Sequence, residues 1–237
     1  DFEIISIQDG EDDEMNSLLN RYDLNEIHER IYNKNPQGWI KSINEGMKIV
    51  NKDSEYVIFL NDDVVVTPNW LEKMKKHFEE RSDLGVLGVT TNQVTGKQHI
   101  NYNTDERFEE VNEIIGFCIM FRKEALDKIY KKDGYYLDER FGLGGQDDSD
   151  ICWRSNNLGY KTGIARDVFI YHYGSKTFRE LMTTSQSREY MESRIDILRN
   201  KYNLPNSINQ NNMENSINES IIKKPKILIT IPSIGGT

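Results

Sequence analysis

The chain has 237 residues, of which 37% are hydrophobic, 10% aromatic and 29% charged, and its formal net charge is −9. That is enough apolar material for one substantial domain with a tail, and too much for disorder throughout. The acidic balance leaves no basic stripe for nucleic acid or an anionic membrane, and no apolar run reaches transmembrane length. Cys118 and Cys152 sit in apolar contexts, which suits buried free thiols rather than a disulfide framework. With no signal peptide in view, a cytoplasmic protein is expected, at most peripheral to the inner face of a membrane.

In chain order, Phe2-Glu3-Ile4-Ile5-Ser6-Ile7 reads as a strand that runs into the acidic turn Gln8-Asp9-Gly10-Glu11-Asp12-Asp13. A helix is expected over residues 15–22, with Leu18 and Leu19 inward. A second follows over 38–50, where Trp39, Ile40, Ile43, Met47 and Val50 share one face. Tyr56-Val57-Ile58-Phe59-Leu60 has strand length and ends on Asn61-Asp62-Asp63. Thr67-Pro68-Asn69-Trp70 then reads as a helix start, with Thr67 as N-cap and Pro68 at the first helical position. Residues 84–89 and 114–121 read as buried strands and 123–130 as a short helix.

Residues 133–150 read as a Gly/Asp loop, and Gly142, Gly144 and Gly145 are too irregularly placed for a phosphate cradle, so a mobile loop is expected. A helix from Ile151 to Asn156 follows, closed by Gly159, with Asp150 as its cap and Arg154 pairing with Asp150. Val168-Phe169-Ile170-Tyr171 is a strand, and a charged helix over 183–202 carries the stripe Tyr190, Met191, Ile195, Leu198. Residues 203–224 are an Asn/Ser-rich linker by composition, and 225–237 hold one more strand. That strand is read either as the start of a second domain or as an addition to the sheet. Strands alternating with helices predict an α/β domain over residues 1–202, with a mostly parallel central sheet flanked by helices.

Two acidic clusters, Asn61-Asp62-Asp63 and Asp147-Asp148-Ser149-Asp150, lie beside segments that read as buried. Neighbouring carboxylates repel and are costly to desolvate, so a cation is expected to offset them. An Asp-Asp pair is ordinarily a solvated turn, but a turn before Val64-Val65-Val66 has no need of two acids. Oxygen ligation suits Mn2+ or Mg2+, and such a site handles phosphates.

With these residues in place, the chain resembles the family 2 glycosyltransferases, nucleotide-sugar enzymes of the Rossmann-like GT-A fold. The resemblance covers roughly residues 2–180. Ile5-Ser6-Ile7-Gln8-Asp9-Gly10 is similar to the family's second strand and its Asp-Asp-Gly-Ser turn. Asn35 with Gly38, and Asn44 with Gly46, resemble its Asn-x-Gly helix; Asn61-Asp62-Asp63 with Pro68-Asn69-Trp70-Leu71 resembles its Asp-x-Asp segment. The run from Gly116 to Leu126 resembles its acceptor-side segment. Asp147-Asp148-Ser149-Asp150 resembles its Glu-Asp-x-Asp loop, and His172 falls where many members carry a histidine before a small polar run, here Gly174-Ser175-Lys176. The departures are Asn61 in place of the first Asp, Asp147 where Glu is common, and no opening strand ending in Pro-Thr-Tyr-Asn. The domain is accordingly expected to be N-terminally truncated.

What the resemblance implies is an inverting sugar transfer from a nucleoside diphosphate donor, UDP or dTDP, to a hydroxyl acceptor on a saccharide, a lipid-linked saccharide or a protein. It implies Asp148 as general base with Asp147 second to it, and Asp63 and His172 on a divalent Mn2+ or Mg2+. Asp62 would hydrogen-bond the ribose, Asp9 the pyrimidine imide, and Asn35 and Gly38 would line the nucleotide. Gly116 would face the acceptor, whose identity is expected to reside in residues 131–146 and the last helix; Trp153, by its closeness to Asp148 in sequence, is the residue expected to stack on an acceptor sugar. A bare reading of His172 is structural, and of Trp153 core. Bacterial surface polysaccharide synthesis or protein glycosylation is the setting by analogy alone. A sugar-1-phosphate nucleotidyltransferase would want a Gly-rich basic loop that is missing here. The alternative from another class is a non-catalytic module that binds nucleotide-sugar or carbohydrate on the same fold.

Overall fold

A computed structural model of the chain describes residues 2–13, 17, 28–94, 96–102, 104–174, 182–205 and 226–232. The strands are β1 (Glu3–Asp9), β2 (His28–Asn33), β3 (Ser54–Leu60), β4 (Val64–Val66), β5 (Leu84–Thr90), β6 (Phe108–Val111), β7 (Cys118–Arg122), β8 (Lys161–His172) and β9 (Lys226–Pro232). The helices are α1 (Trp39–Gly46), α2 (Trp70–Glu80), α3 (Lys123–Asp133), α4 (Asp147–Asn156) and α5 (Thr184–Tyr202). The strands form one nine-stranded sheet in the order β2-β1-β9-β3-β7-β5-β8-β4, with β6 also pairing to β8. β1, β2, β3, β5 and β8 run one way, and β4, β6, β7 and β9 run against them.

The side-chain period of two explains how the sheet takes a helix layer on each face. Val57 and Phe59 of β3 point to one face, where Ile5, Ile7, Ile40, Ile43, Phe121, Leu126 and Ile151 pack around them. Tyr56, Ile58 and Leu60 point to the other, against Met74, Phe78, Leu87 and Ile170. The first face is covered by α1, α3, α4 and the end of α5, the second by α2. Cys118 and Cys152 are buried free thiols, as expected, and burial pushes both well above the ordinary thiol range.

Several expected boundaries move, each for a local reason. α2 starts at Trp70 rather than at Pro68: Asn69 is its cap in the left-handed region (φ 59°), and the Thr67 hydroxyl donates instead to the Phe169 carbonyl at 2.7 Å. α1 stops at Gly46, although Met47 and Val50 beyond it are still buried. α4 starts at Asp147, not Ile151, because Gly144, Gly145 and Gln146 all take positive φ and turn the chain into the helix early. β2, β4 and β6 were not legible; they are short, lie toward the sheet margins and carry polar or one-sided patterns. The helix expected over 15–22 lies outside the described residues except for residue 17, as do 206–224 of the linker, 233–237 and Ser175-Lys176.

Asn44, one of the motif asparagines, bridges α1 to the segment ahead of the acidic loop. Its Nδ2 donates to the Leu137 carbonyl and its Oδ1 accepts the Leu137 N–H, both at 2.9 Å.

Candidate active site

The carboxyl ends of β1, β3, β5 and β8 open on one edge of the sheet, the edge where α/β sheets bind ligands. β7 enters at the same edge from the opposite direction, since Leu60 pairs with Cys118. The Asn61 N–H donates to the Phe117 carbonyl at 2.9 Å, so the Gly116-Phe117 segment lies against the end of β3.

Asp63 and His172 meet because β4 pairs antiparallel with the end of β8, Val64 opposite His172. The Tyr173 N–H donates to the Asp63 carbonyl at 2.9 Å and fixes that register. His172 Nε2 then stands 3.1 Å from Asp63 Oδ1, yet neither ring nitrogen of this buried histidine makes an aligned hydrogen bond among the described residues. A ring nitrogen and a carboxylate oxygen placed side by side without an aligned proton fit two donors to a shared divalent cation. Among the described residues no group of three or more His, Cys, Asp or Glu could hold a metal ion.

Two neighbours hold the histidine. The Phe117 ring stacks on it at 5.0 Å between centroids and 16° between planes. Asn92, just beyond β5, clamps its backbone from both sides: Oδ1 accepts the His172 N–H at 2.9 Å and Nδ2 donates to its carbonyl at 3.2 Å. Asn92 carries no motif, and only the pairing of distant segments reveals it.

Gly116 itself meets Asp148, in the first turn of α4. Its Oδ2 accepts the Gly116 N–H at 3.1 Å and its Oδ1 the Ser149 N–H at 2.8 Å. Burial, reinforced by the charge of Asp147, pushes the Asp148 carboxyl up to about 7 against these two hydrogen bonds. Burial also raises Asp147, although the Gly145 N–H at 2.7 Å and the Trp39 side chain bond to its carboxylate. A Cβ at residue 116 would stand 3.2 Å from the Asp148 Cβ and from the Ile119 side chain, a tight fit that would press on the Asp148 side chain. Buried Gln98 fixes the same segment: its Oε1 accepts the Ile115 N–H at 2.6 Å and its Nε2 donates to the Val89 carbonyl at 3.2 Å. Asp148 faces a cleft of about 830 Å³ shared with Gln98, Ile115, Gln146 and Met191.

Asp150 is not a helix cap. It lies inside α4, fully buried, and meets Arg154 at 2.9 Å, Lys201 at 2.6 Å and the Tyr202 hydroxyl at 2.9 Å. The expected pairing with Arg154 is present, but the charge centre it belongs to staples α5 to α4. Lys201 also reaches Asp138 at 2.8 Å. Burial opposes charge on Asp138, but hydrogen bonds from Arg140 and Lys201 win and hold it well below the ordinary range. The glycine loop is bonded to α5 through one side chain. The Tyr190 hydroxyl accepts the Leu143 N–H at 2.8 Å and faces the Phe141 and Gly144 carbonyls at 2.8 and 3.1 Å.

The nucleotide-side residues fall around the end of β1. The Asp9 carboxylate accepts the N–H groups of Gln37 at 2.8 Å and Gly38 at 2.7 Å, and reaches Asn33 Nδ2 at 3.3 Å. Asp9 and Gly38 are thus in direct contact at the start of α1, where a carboxylate suits the helix's first amides. Gly38 has φ 89°, and Asn35 is exposed on the same loop. Asp62 is half-buried beside Asp63. Trp153 is half-buried on α4 and opens not into the Asp148 cleft but into a neighbouring hollow.

The model described as "Glycosyl transferase family 2" matches residues 1–130 of this chain. The crystal structure of GalNAc-T7 with UDP, GalNAc and Mn2+ is similar with a TM-score of 0.58 at 12% identity, covering 72% of this chain and 37% of that one. S. aureus TarS gives a TM-score of 0.55 at 16% identity over 89% of this chain and 39% of that one. Its 1–349 segment in complex with UDP gives 0.53 at 14% over 91% and 66%. At these identities the likeness is one of fold, and the fold is GT-A. The chain spans between 37% and 66% of the length of these solved chains.

Proposed function

The chain belongs to glycosyl transferase family 2, and from that premise we propose that it moves a sugar from a nucleoside diphosphate to a hydroxyl acceptor, with inversion at the anomeric carbon. The observation that carries this is the Gly116-Phe117 segment, which meets a carboxylate poised near neutrality at Gly116 and the Asp63–His172 pair at Phe117. Inversion needs one carboxylate to take the acceptor's proton as its oxygen attacks from the face opposite the leaving group. Asp148 suits that task, because a base near neutrality is ionised at working pH yet basic enough to hold the proton. The Gly116 and Ser149 amides aim its oxygens, and burial, with Asp147 beside it, keeps it basic.

Asp63 and His172 would hold a divalent Mn2+ or Mg2+, whose charge stabilises the departing diphosphate. No second acid is then required. Asp62 would take the ribose, and the Asp9–Gly38 corner with Asn35 the base. UDP is the favoured donor, since UDP occupies both GalNAc-T7 and TarS on this fold. No described helix is long and apolar enough to cross a membrane.

Calorimetric titration of UDP, dTDP and GDP with and without Mn2+ tests the donor site. A pyrimidine diphosphate should bind only with the metal, and Asp63→Ala should lose that binding. Metal-independent or absent binding in the wild type would remove Asp63 from the site. Asn92→Ala should weaken the Mn2+-dependent step by about 10–100-fold, the usual cost of losing a group that orients a ligand; an unchanged titration would show that His172 keeps its place without the clamp.

A further inference from the structure

The hollow that Trp153 enters has a volume of about 520 Å³ and lies between α4, the end of α5 and the segment after β6. Asn112 and Glu113 line both this hollow and the Asp148 cleft, so the two spaces meet at that dipeptide. Trp153 and Tyr202, both packed partly against the core, line the hollow with their rings edge to face at 5.1 Å and 74°. The Tyr202 hydroxyl donates to Asp150 at 2.9 Å and is engaged away from the hollow's polar groups. The polar lining consists of Asn112, Asn156, Asn157 and Glu113, and among the described residues no lysine or arginine contributes. Asn156 is engaged already, donating to the Asn112 carbonyl at 3.0 Å and accepting from Thr162 at 2.8 Å.

We propose that this hollow is a glycan subsite, which holds an inner sugar unit of a saccharide acceptor while the reacting hydroxyl lies at Asp148. The proposal rests on the transferase function above and names its acceptor class. A pyranose has an apolar C–H face that stacks on an aromatic ring and hydroxyls that pair with amides and carboxylates. A phosphate or nucleotide would want cations, and the described residues of the hollow supply none. Asp148 and Trp153 are five positions apart on α4, about 7.5 Å along the axis. They lie about 140° apart around the helix, so what joins the two places is the Asn112-Glu113 dipeptide that lines both spaces.

Glycan ladders of one to six units (chito-, malto- and xylo-oligosaccharides) are titrated into the wild type, Trp153→Leu and Asn157→Ala. Each sample is also titrated with UDP and Mn2+ and melted thermally. One ladder should gain affinity with length by several-fold to about tenfold, the scale of a single stacking contact. Both variants should lose that gain while binding UDP normally. Asn157 is exposed, so its variant decides the matter if Trp153→Leu does not fold. A wild type with no length-dependent binding, or variants that keep it, overturns the subsite. Loss of UDP binding by the wild type sinks the transferase function instead, so the two failures are distinct.

Discussion

Asp148→Asn is expected to lower turnover by about 10²–10⁴-fold, the usual contribution of a positioned base, while UDP binding with Mn2+ stays within about twofold of the wild type. The amide is the same size as the carboxylate and can still accept a hydrogen bond from Gly116 or Ser149, so the loss would be one of proton acceptance rather than of shape. The pH dependence gives a second readout. In the wild type the base works only when ionised, so the rate should fall as pH drops below about 7 and level off above it. Stability should move the other way. The folded carboxyl titrates above its ordinary value near 3.8, so the stabilisation is complete below that value and is lost as pH rises through about 7. Melting curves at pH 4 and pH 8 should therefore show Asp148→Asn gaining over the wild type only at the higher pH. A turnover change below about tenfold, or a pH profile unaltered by the substitution, would move the base elsewhere in the cleft.

Asp150→Ala is expected to cost about 3–5 kcal/mol, because it strips a buried ion pair of one partner and leaves cations behind in low dielectric. Arg154 is 6% exposed on its side chain and Lys201 13%, so water cannot readily replace the lost carboxylate. For a chain of this size the loss corresponds to a fall in Tm on the order of 10 °C. Chemical denaturation of wild type and variant measures it. Arg154 also donates to the Tyr135 and Tyr136 carbonyls and keeps part of its bonding, which argues for the lower end of that range. A change under about 1 kcal/mol would mean that α5 is held to α4 by its apolar contacts alone.

The parts of the fold that were legible are those whose side chains obey a period. β3, β5 and β7 are apolar runs bounded by turns, and α1 shows its buried face. β2 and β6 carry charged residues because they pair near the margins, and period alone cannot separate them from loops. The site divides in the same way. The acidic residues announce themselves by a chemistry that is expensive without a purpose, so Asp63 and Asp148 stood out. Asn92 and Gln98 act through backbone groups far away in sequence, and an asparagine or glutamine in a loop looks the same whether or not it clamps anything. Asp150 reads as a cap only for a helix that starts at Ile151; in a helix that starts at Asp147 it lies within the first turn, and its carboxylate meets Arg154 and Lys201 instead of the first amides.

The middle of the sheet is completed by β9, which pairs with β1 and β3 at once, both antiparallel. Glu3 lies opposite Thr230, so partners meet across nearly the whole sequence, a slow closure compared with the local pairing of β5 and β7. While residues 226–232 are still being synthesised, β1 and β3 each offer an open strand edge beside a half-covered apolar face. Open edges of that kind recruit strands from other molecules. The interval between the emergence of β3 and the arrival of β9 is therefore when the nascent chain is most exposed to misassembly, and a chaperone would have most to protect.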